Sequence, residues 1–220
     1  MEKLFIPCYL KKDIILGEKI FREIEKYEKI ALFTTYQHLN QLAKTKNVLE
    51  DEGKKVVFSG QILGCESEKI KNIKDKTDAF LYLGSGKFHP LNIATKTEKP
   101  VFVFDPYSET ITEISAEEKK KHTARRNAAI AKALSAETFG ILISTKTKQF
   151  HFEKALKIKN ELEKRGKKAY LFVGEELSPD RVLGFQVDVW INTACPRIIE
   201  DYFDKPVLNP DELALLYTSP

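Results

Sequence analysis

Apolar residues fall along the chain in short runs, separated by longer stretches where they recur every three or four positions. The runs predict buried strands over residues 29–34, 54–58, 78–83 and 100–104, and again over 139–144, 167–173, 187–191 and 206–208. The stretches between them carry the helical period, most clearly over 37–52 and 152–165. Strand and helix in alternation call for right-handed crossovers and parallel sheets.

The two sets of runs are copies of one another. Leu32-Phe33-Thr34-Thr35 aligns with Leu142-Ile143-Ser144-Thr145, and Gly53-Lys54-Lys55 with Gly166-Lys167-Lys168. Asp78-Ala79-Phe80-Leu81-Tyr82 aligns with Asp188-Val189-Trp190-Ile191-Asn192, and Lys99-Pro100-Val101 with Lys205-Pro206-Val207. Four anchors in one order mark a tandem duplication. The fold class expected is therefore α/β, with two tandem repeated units whose parallel sheets are flanked by helices. The first unit is placed at 1–114 and the second, with its connecting crossover helix, at 115–220.

Two segments lie outside the repeat. Residues 4–8 predict a strand and 13–26 a helix. Residues 107–114 predict a hairpin turning at Ser108-Glu109-Thr110, and Ser115-Ala116-Glu117-Glu118 reads as a capping box that opens a long helix.

Composition narrows the class without deciding it. With 42% hydrophobic residues the 220-residue chain can bury substantial cores. No apolar stretch approaches the roughly 18 residues a spanning helix needs, and the N-terminus lacks a signal-peptide layout; a cytoplasmic protein is expected. Its 36 basic and 32 acidic residues interleave on the helices, so no direct nucleic-acid partner is expected. Three scattered cysteines argue against a disulfide framework.

In parallel α/β sheets, ligands gather beyond the carboxyl ends of strands, and there the polar clusters fall. Thr34, Thr35, Tyr36, Gln37 and His38 follow the first predicted strand, and the run from Ser59 through Gln61 to Gly64-Cys65 follows the second. Gly84-Ser85-Gly86-Lys87-Phe88-His89 follows the third and Asp105-Pro106-Tyr107-Ser108 the fourth. In the second set the ends carry Ser144-Thr145-Lys146 and Asn192-Thr193-Ala194-Cys195-Pro196-Arg197. The Gly84/Gly86 pair permits close backbone approach to a ligand, or is an ordinary tight turn. His89 has no partner at metal-ligand spacing and His38 falls on the first turn of a predicted helix, so each reads as a simple polar residue rather than a ligand. Cys65 and Cys195 both stand near strand ends, where thiolates from separate loops would select an iron–sulfur cluster or zinc; buried, inert thiols are the alternative.

Taken together these blocks resemble the archaeal 2-(3-amino-3-carboxypropyl)histidine synthase family, in order and over nearly the whole chain. The resemblance implies a 4Fe–4S cluster held by three cysteines, one from each of three related domains, with Cys65 and Cys195 matching the ligands of the last two. It implies S-adenosylmethionine as the donor of a 3-amino-3-carboxypropyl group to a histidine of translation elongation factor 2, the first step of diphthamide synthesis. Thr34, Gln37, His38, Gln61, Gly84, Ser85, Gly86, His89, Asp105 and Ser144 would shape the pocket for S-adenosylmethionine and substrate.

The family's first domain, with its cysteine, has no counterpart here. Cys8 lies in the predicted first strand, does not match the missing ligand, and is expected to be packing. Three arrangements follow. The third ligand comes from a separate first-domain chain; or the chain is a non-catalytic scaffold or accessory subunit of the diphthamide synthesis complex; or a homo-oligomer, or Cys8, completes the cluster.

Overall fold

The computed structural model describes residues 4, 6, 8–62 and 67–217. The chain divides into two units, Met1–Lys121 and His122–Pro220, each built on its own sheet. In the first, α1 (Glu18–Glu23) precedes β1 (Lys29–Thr34), a 3-10 turn (Tyr36–Gln41), α2 (Leu42–Asp51) and β2 (Lys55–Gln61). Then come α3 (Ser67–Ile73), β3 (Ala79–Leu83), α4 (Phe88–Ala94), β4 (Val101–Asp105) and β5 (Thr110–Glu113). Helix α5 (Ala116–Ala133) carries the chain into the second unit. There β6 (Thr138–Ser144), α6 (Phe152–Lys164), β7 (Lys168–Gly174), α7 (Pro179–Val182) and β8 (Val189–Asn192) follow. A 3-10 turn (Pro196–Glu200), β9 (Val207–Leu208) and α8 (Pro210–Leu215) complete it.

The sheets run β2-β1-β3-β4-β5 and β7-β6-β8-β9, so their first four strands share one order and are all parallel. Both faces of each sheet are covered, which is why β3 is buried at every position. In the first sheet Leu32, Leu81 and Phe102 meet Ile20, Ile24 and Leu49 on one face. Phe33, Phe80 and Val103 meet Ile70 and Ile93 on the other. The second sheet repeats this, with Phe139 and Ile141 against Ile158 and Leu162, and Leu142 and Trp190 against Leu177 and Val182.

The duplication extends to individual hydrogen bonds. Asp78 accepts the Lys29 amide at 2.8 Å, and Asp188 accepts the Thr138 amide at 2.8 Å. Gly53 and Gly166 each follow a helix at φ +80° and +77°, the left-handed conformation that suits glycine at a helix end. One detail of the repeat is corrected. Ile30 stands opposite Ala79, and Phe139 opposite Val189, so Phe33 rather than Leu32 is the equivalent of Leu142. Ser144 therefore takes the place of Thr35, not Thr34. A slip of one residue exchanges the faces of a strand, and the burial of Ile30, Leu32, Phe139 and Ile141 beneath equivalent helices settles the choice.

Other expectations also change. Leu4, Ile6 and Cys8 form no strand; Phe5 and Pro7 lie outside the described residues. The expected helix over 13–26 contracts to α1, because Gly17 ahead of it is extended (φ −82°, ψ 169°). The 107–114 hairpin is instead β4 paired antiparallel with β5, with residues 106–109 as its turn. Pro106 cannot donate to a ladder, and Asp105 Oδ1 accepts the Tyr107 amide at 2.8 Å, bending the chain earlier than expected. The capping box forms as anticipated: Ser115 Oγ accepts the Glu118 amide at 3.1 Å while Glu118 accepts the Ser115 amide at 3.0 Å. Among the described residues no helix is long and apolar enough to cross a membrane.

Candidate functional site

In the first unit the carboxyl ends of four parallel strands gather most of the expected site residues. Thr34 stands in register between Gln61 of β2 and Leu83 of β3. Its hydroxyl donates to the Leu83 carbonyl at 2.8 Å, so the fully buried threonine ties neighbouring strands. Gln37 is exposed on the following 3-10 turn, and its carbonyl accepts the Leu10 amide at 2.8 Å. His38, expected to be a simple polar residue, is 1% exposed, and its Nδ1 has no hydrogen-bond partner among the described residues. Its ring meets Tyr107 edge-on at 6.4 Å. Burial holds the imidazole below its ordinary pKa, against an opposing pull from Asp105.

The glycine pair is a true turn of special geometry. Gly84 and Gly86 adopt φ +145° and +78°, and a Cβ on Gly84 would lie 2.9 Å from the Tyr82 hydroxyl. Burial pushes Tyr82 up to about 12, against a hydrogen bond with Thr35. Ser85 and Gly86 are exposed at the loop tip, while His89 on α4 stacks on Tyr82 at 5.9 Å. Lys87 pairs with Glu118, whose carboxyl is held below its ordinary range by that contact and by the Ser115 cap. Cys8 is exposed rather than packed, on the segment where Tyr9 stacks against Tyr36 at 5.1 Å.

The second unit brings two further expected residues to one hollow. Ser144 and Cys195 line a depression of about 250 Å³ together with Lys146, Gln149 and Ser178. Ser144 Oγ accepts the Lys146 amide at 3.1 Å. Cys195 is partly exposed, in no disulfide, and caps the 3-10 turn that begins at Pro196. Its carbonyl accepts from Asn192 Nδ2 at 2.8 Å and from the Ile198 amide at 3.0 Å. A partly exposed cysteine on a pinned backbone, beside a lined hollow, could serve as a thiolate ligand. Cys65 lies outside the described residues. Among the described residues no group of three or more His, Cys, Asp or Glu side chains could hold a metal ion.

Asn192 is a residue to which the sequence motifs assign no role. The signal was present: asparagine is depleted in strands, and here one ends a buried strand at 1% exposure. Lys146 and Gln149 left no comparable mark, since their place in the hollow depends on how the β6–α6 connection folds.

The sequence model of the diphthamide synthesis protein family matches residues 1–219. The chain is 35% identical to the 2-(3-amino-3-carboxypropyl)histidine synthase of Pyrococcus horikoshii over 97% of its own length and 65% of that protein's. It is 33% identical to the synthase of Methanocaldococcus jannaschii, over 98% of this chain and 62% of that one. The crystal structure of Dph2 from Pyrococcus horikoshii superposes with a TM-score of 0.82 at 32% identity, covering 96% of this chain and 64% of the other. The structure of the same protein with a 4Fe–4S cluster superposes at 0.81 and 33% identity, over 94% and 63%. The chain thus spans less than two thirds of the length of these relatives.

Proposed function

The chain belongs to the diphthamide synthesis protein family, and from that premise we propose that it is the two-unit part of a 3-amino-3-carboxypropyl transferase acting, in the cytoplasm, on a histidine of translation elongation factor 2. In this reading Cys195 supplies one thiolate to a 4Fe–4S cluster, Cys65 a second by the same resemblance, and a separate first-domain chain the third. The observation that carries the reading is Cys195 itself, partly exposed on a pinned backbone at the rim of a hollow beyond a strand end.

What a 4Fe–4S cluster supplies in such a site is one electron for breaking the S–Cγ bond of S-adenosylmethionine. The residues of this chain bind and orient. Gly86, exposed and with nothing within 4 Å of where a Cβ would stand, lets a ligand approach the backbone. Gln37 and Ser85, both exposed, offer hydrogen-bonding groups to a polar amino-acid tail. The Asp105 carboxylate can meet a cationic ammonium or sulfonium, since among the described residues its Oδ1 alone is engaged, by the Tyr107 amide. His38 is kept neutral by burial and so adds no positive charge beside that cation.

The test is anaerobic reconstitution with iron and sulfide, with and without a first-domain chain taken from the Pyrococcus horikoshii relative. Iron and zinc content, visible absorbance and electron paramagnetic resonance are read alongside transfer from S-adenosylmethionine to elongation factor 2. A brown, iron-loaded complex that forms only with the partner, and fails for Cys195→Ser and Cys65→Ser, is expected. A colourless complex that still assembles would favour the accessory-subunit alternative and overturn the catalytic one.

A further inference from the structure

We propose that Asn192 is a positioning residue for the Cys195 thiolate, holding the cysteine's backbone through a carboxamide that is itself held from α8 and α5. The inference rests on the reading of Cys195 as a cluster ligand and adds the device that presents it.

Asn192 ends β8, is 1% exposed, and directs every polar atom of its side chain to a partner. Its Nδ2 donates to the Cys195 carbonyl at 2.8 Å and to Asn209 Oδ1 at 3.0 Å, while its Oδ1 accepts the Ala194 amide at 3.0 Å. Rotating the amide by half a turn would set its oxygen against two acceptors and its NH2 against a donor, so this pattern fixes the orientation. The three residues following β8 are thereby closed into a loop around one carboxamide.

The far side of the loop is anchored in turn. Asn209 caps α8 in a reciprocal box with Glu212, whose Oε2 accepts the Asn209 amide at 2.8 Å. Arg126 on α5 grips both Glu212 oxygens at 2.7 Å and donates to the Val207 carbonyl at 2.7 Å. The guanidinium and carboxylate are only 11% and 15% exposed, and a two-pronged pair in that setting has little room to move. A continuous series of hydrogen bonds therefore runs from α5 to the cysteine.

The duplication supplies an internal control. In the first unit the place of Asn192 is taken by Tyr82 and that of Cys195 by Ser85, and Tyr82 sets its hydroxyl beside Gly84 instead. The carboxamide clamp accompanies the copy that carries a cysteine at this position.

The experiment compares wild type, Asn192→Asp, Asn209→Ala and Cys195→Ser as full-length chains. Asn192→Asp keeps the shape and the acceptor for Ala194 but removes the donor to Cys195. Amide hydrogen exchange of the metal-free chain reads the loop, and electron paramagnetic resonance of the complex reconstituted with its first-domain partner reads the cluster. Expected are exchange at the Ile198 amide accelerated roughly tenfold in both clamp variants, an unchanged circular dichroism spectrum, and a shifted or broadened cluster signal. If Asn192→Asp does not fold, Asn209→Ala decides, because it leaves Asn192 in place and removes its outer support together with the α8 cap. Wild-type exchange and wild-type signal in the clamp variants would overturn the inference while Cys195→Ser still lost its iron. Should Cys195→Ser keep its iron and its signal, the ligand reading fails and takes the inference with it.

Discussion

Gly140 and Trp190 stand opposite each other in register across β6 and β8, and a Cβ on Gly140 would lie 2.3 Å from the indole ring. Trp190 is fully buried, with Phe172 edge-on to it at 4.8 Å, so the ring cannot retreat. Gly140→Ala is expected to destabilise the second unit by about 1–3 kcal/mol, the usual cost of overpacking. Denaturant unfolding followed by tryptophan fluorescence measures it directly, since the chain has one tryptophan. Gly184→Ala, where a Cβ meets nothing within 4 Å, is the control and should fall close to wild type.

Arg126→Ala should be worse than the loss of a surface ion pair. It strands the Glu212 carboxylate, 15% exposed, without its guanidinium, and breaking such a pair costs about 3 kcal/mol. Arg126→Lys should recover only part of this, because an ammonium cannot reach both oxygens and the Val207 carbonyl as the fork does. The unfolding midpoints of the two variants give the comparison.

The Gly84 turn separates two effects of a methyl group. Gly86→Ala meets open space and is strained only by φ +78°, about 1 kcal/mol. Gly84→Ala combines φ +145° with the 2.9 Å approach to Tyr82, and should lose more stability and, on the function proposed above, more S-adenosylmethionine binding. Equal losses in thermal unfolding and in calorimetric titration would contradict the close packing of Tyr82 beneath the loop.

His38 makes the first unit sensitive to acid. Its folded pKa is lowered from 6.5 by burial, so below that value the unfolded chain binds a proton that the folded chain refuses. Stability attributable to this group is fully present above pH 6.5 and is lost as the pH falls through and below it. Urea unfolding from about pH 8 to about pH 5.5 should show a slope that flattens in His38→Gln; the same slope in both proteins would place the cause elsewhere.

The strands and their parallel arrangement could be read from the sequence because period and punctuation are local properties. Gly53 and Gly166 end their helices, and Asp78 and Asp188 open their strands, by contacts repeated in both units. The one-residue register of the repeat was not legible: Leu32 and Leu142 are the same amino acid, but they belong to opposite faces of their sheets. Identity between apolar residues carries no information about the face, which the covering helices decide. The burial of His38 and the exposure of Cys8 likewise depend on what the rest of the fold lays over them. The clamp on Cys195 was beyond reach for a third reason, since its members are drawn from β8, α8 and α5, far apart along the chain.

Strand β5 runs against the direction of every other strand in its sheet, and three of its four residues, Thr110, Thr112 and Glu113, are exposed. A sheet that ended at β4 would offer its long apolar border to any extended chain nearby. The antiparallel cover replaces that border with a short one bearing hydroxyls and a carboxylate, a poor template for a foreign strand. The second sheet reaches the same end by brevity, for β9 has only two residues with which to recruit a neighbour. On these two borders, then, each unit halts the growth of its own sheet, a safeguard against intermolecular pairing in a crowded cell.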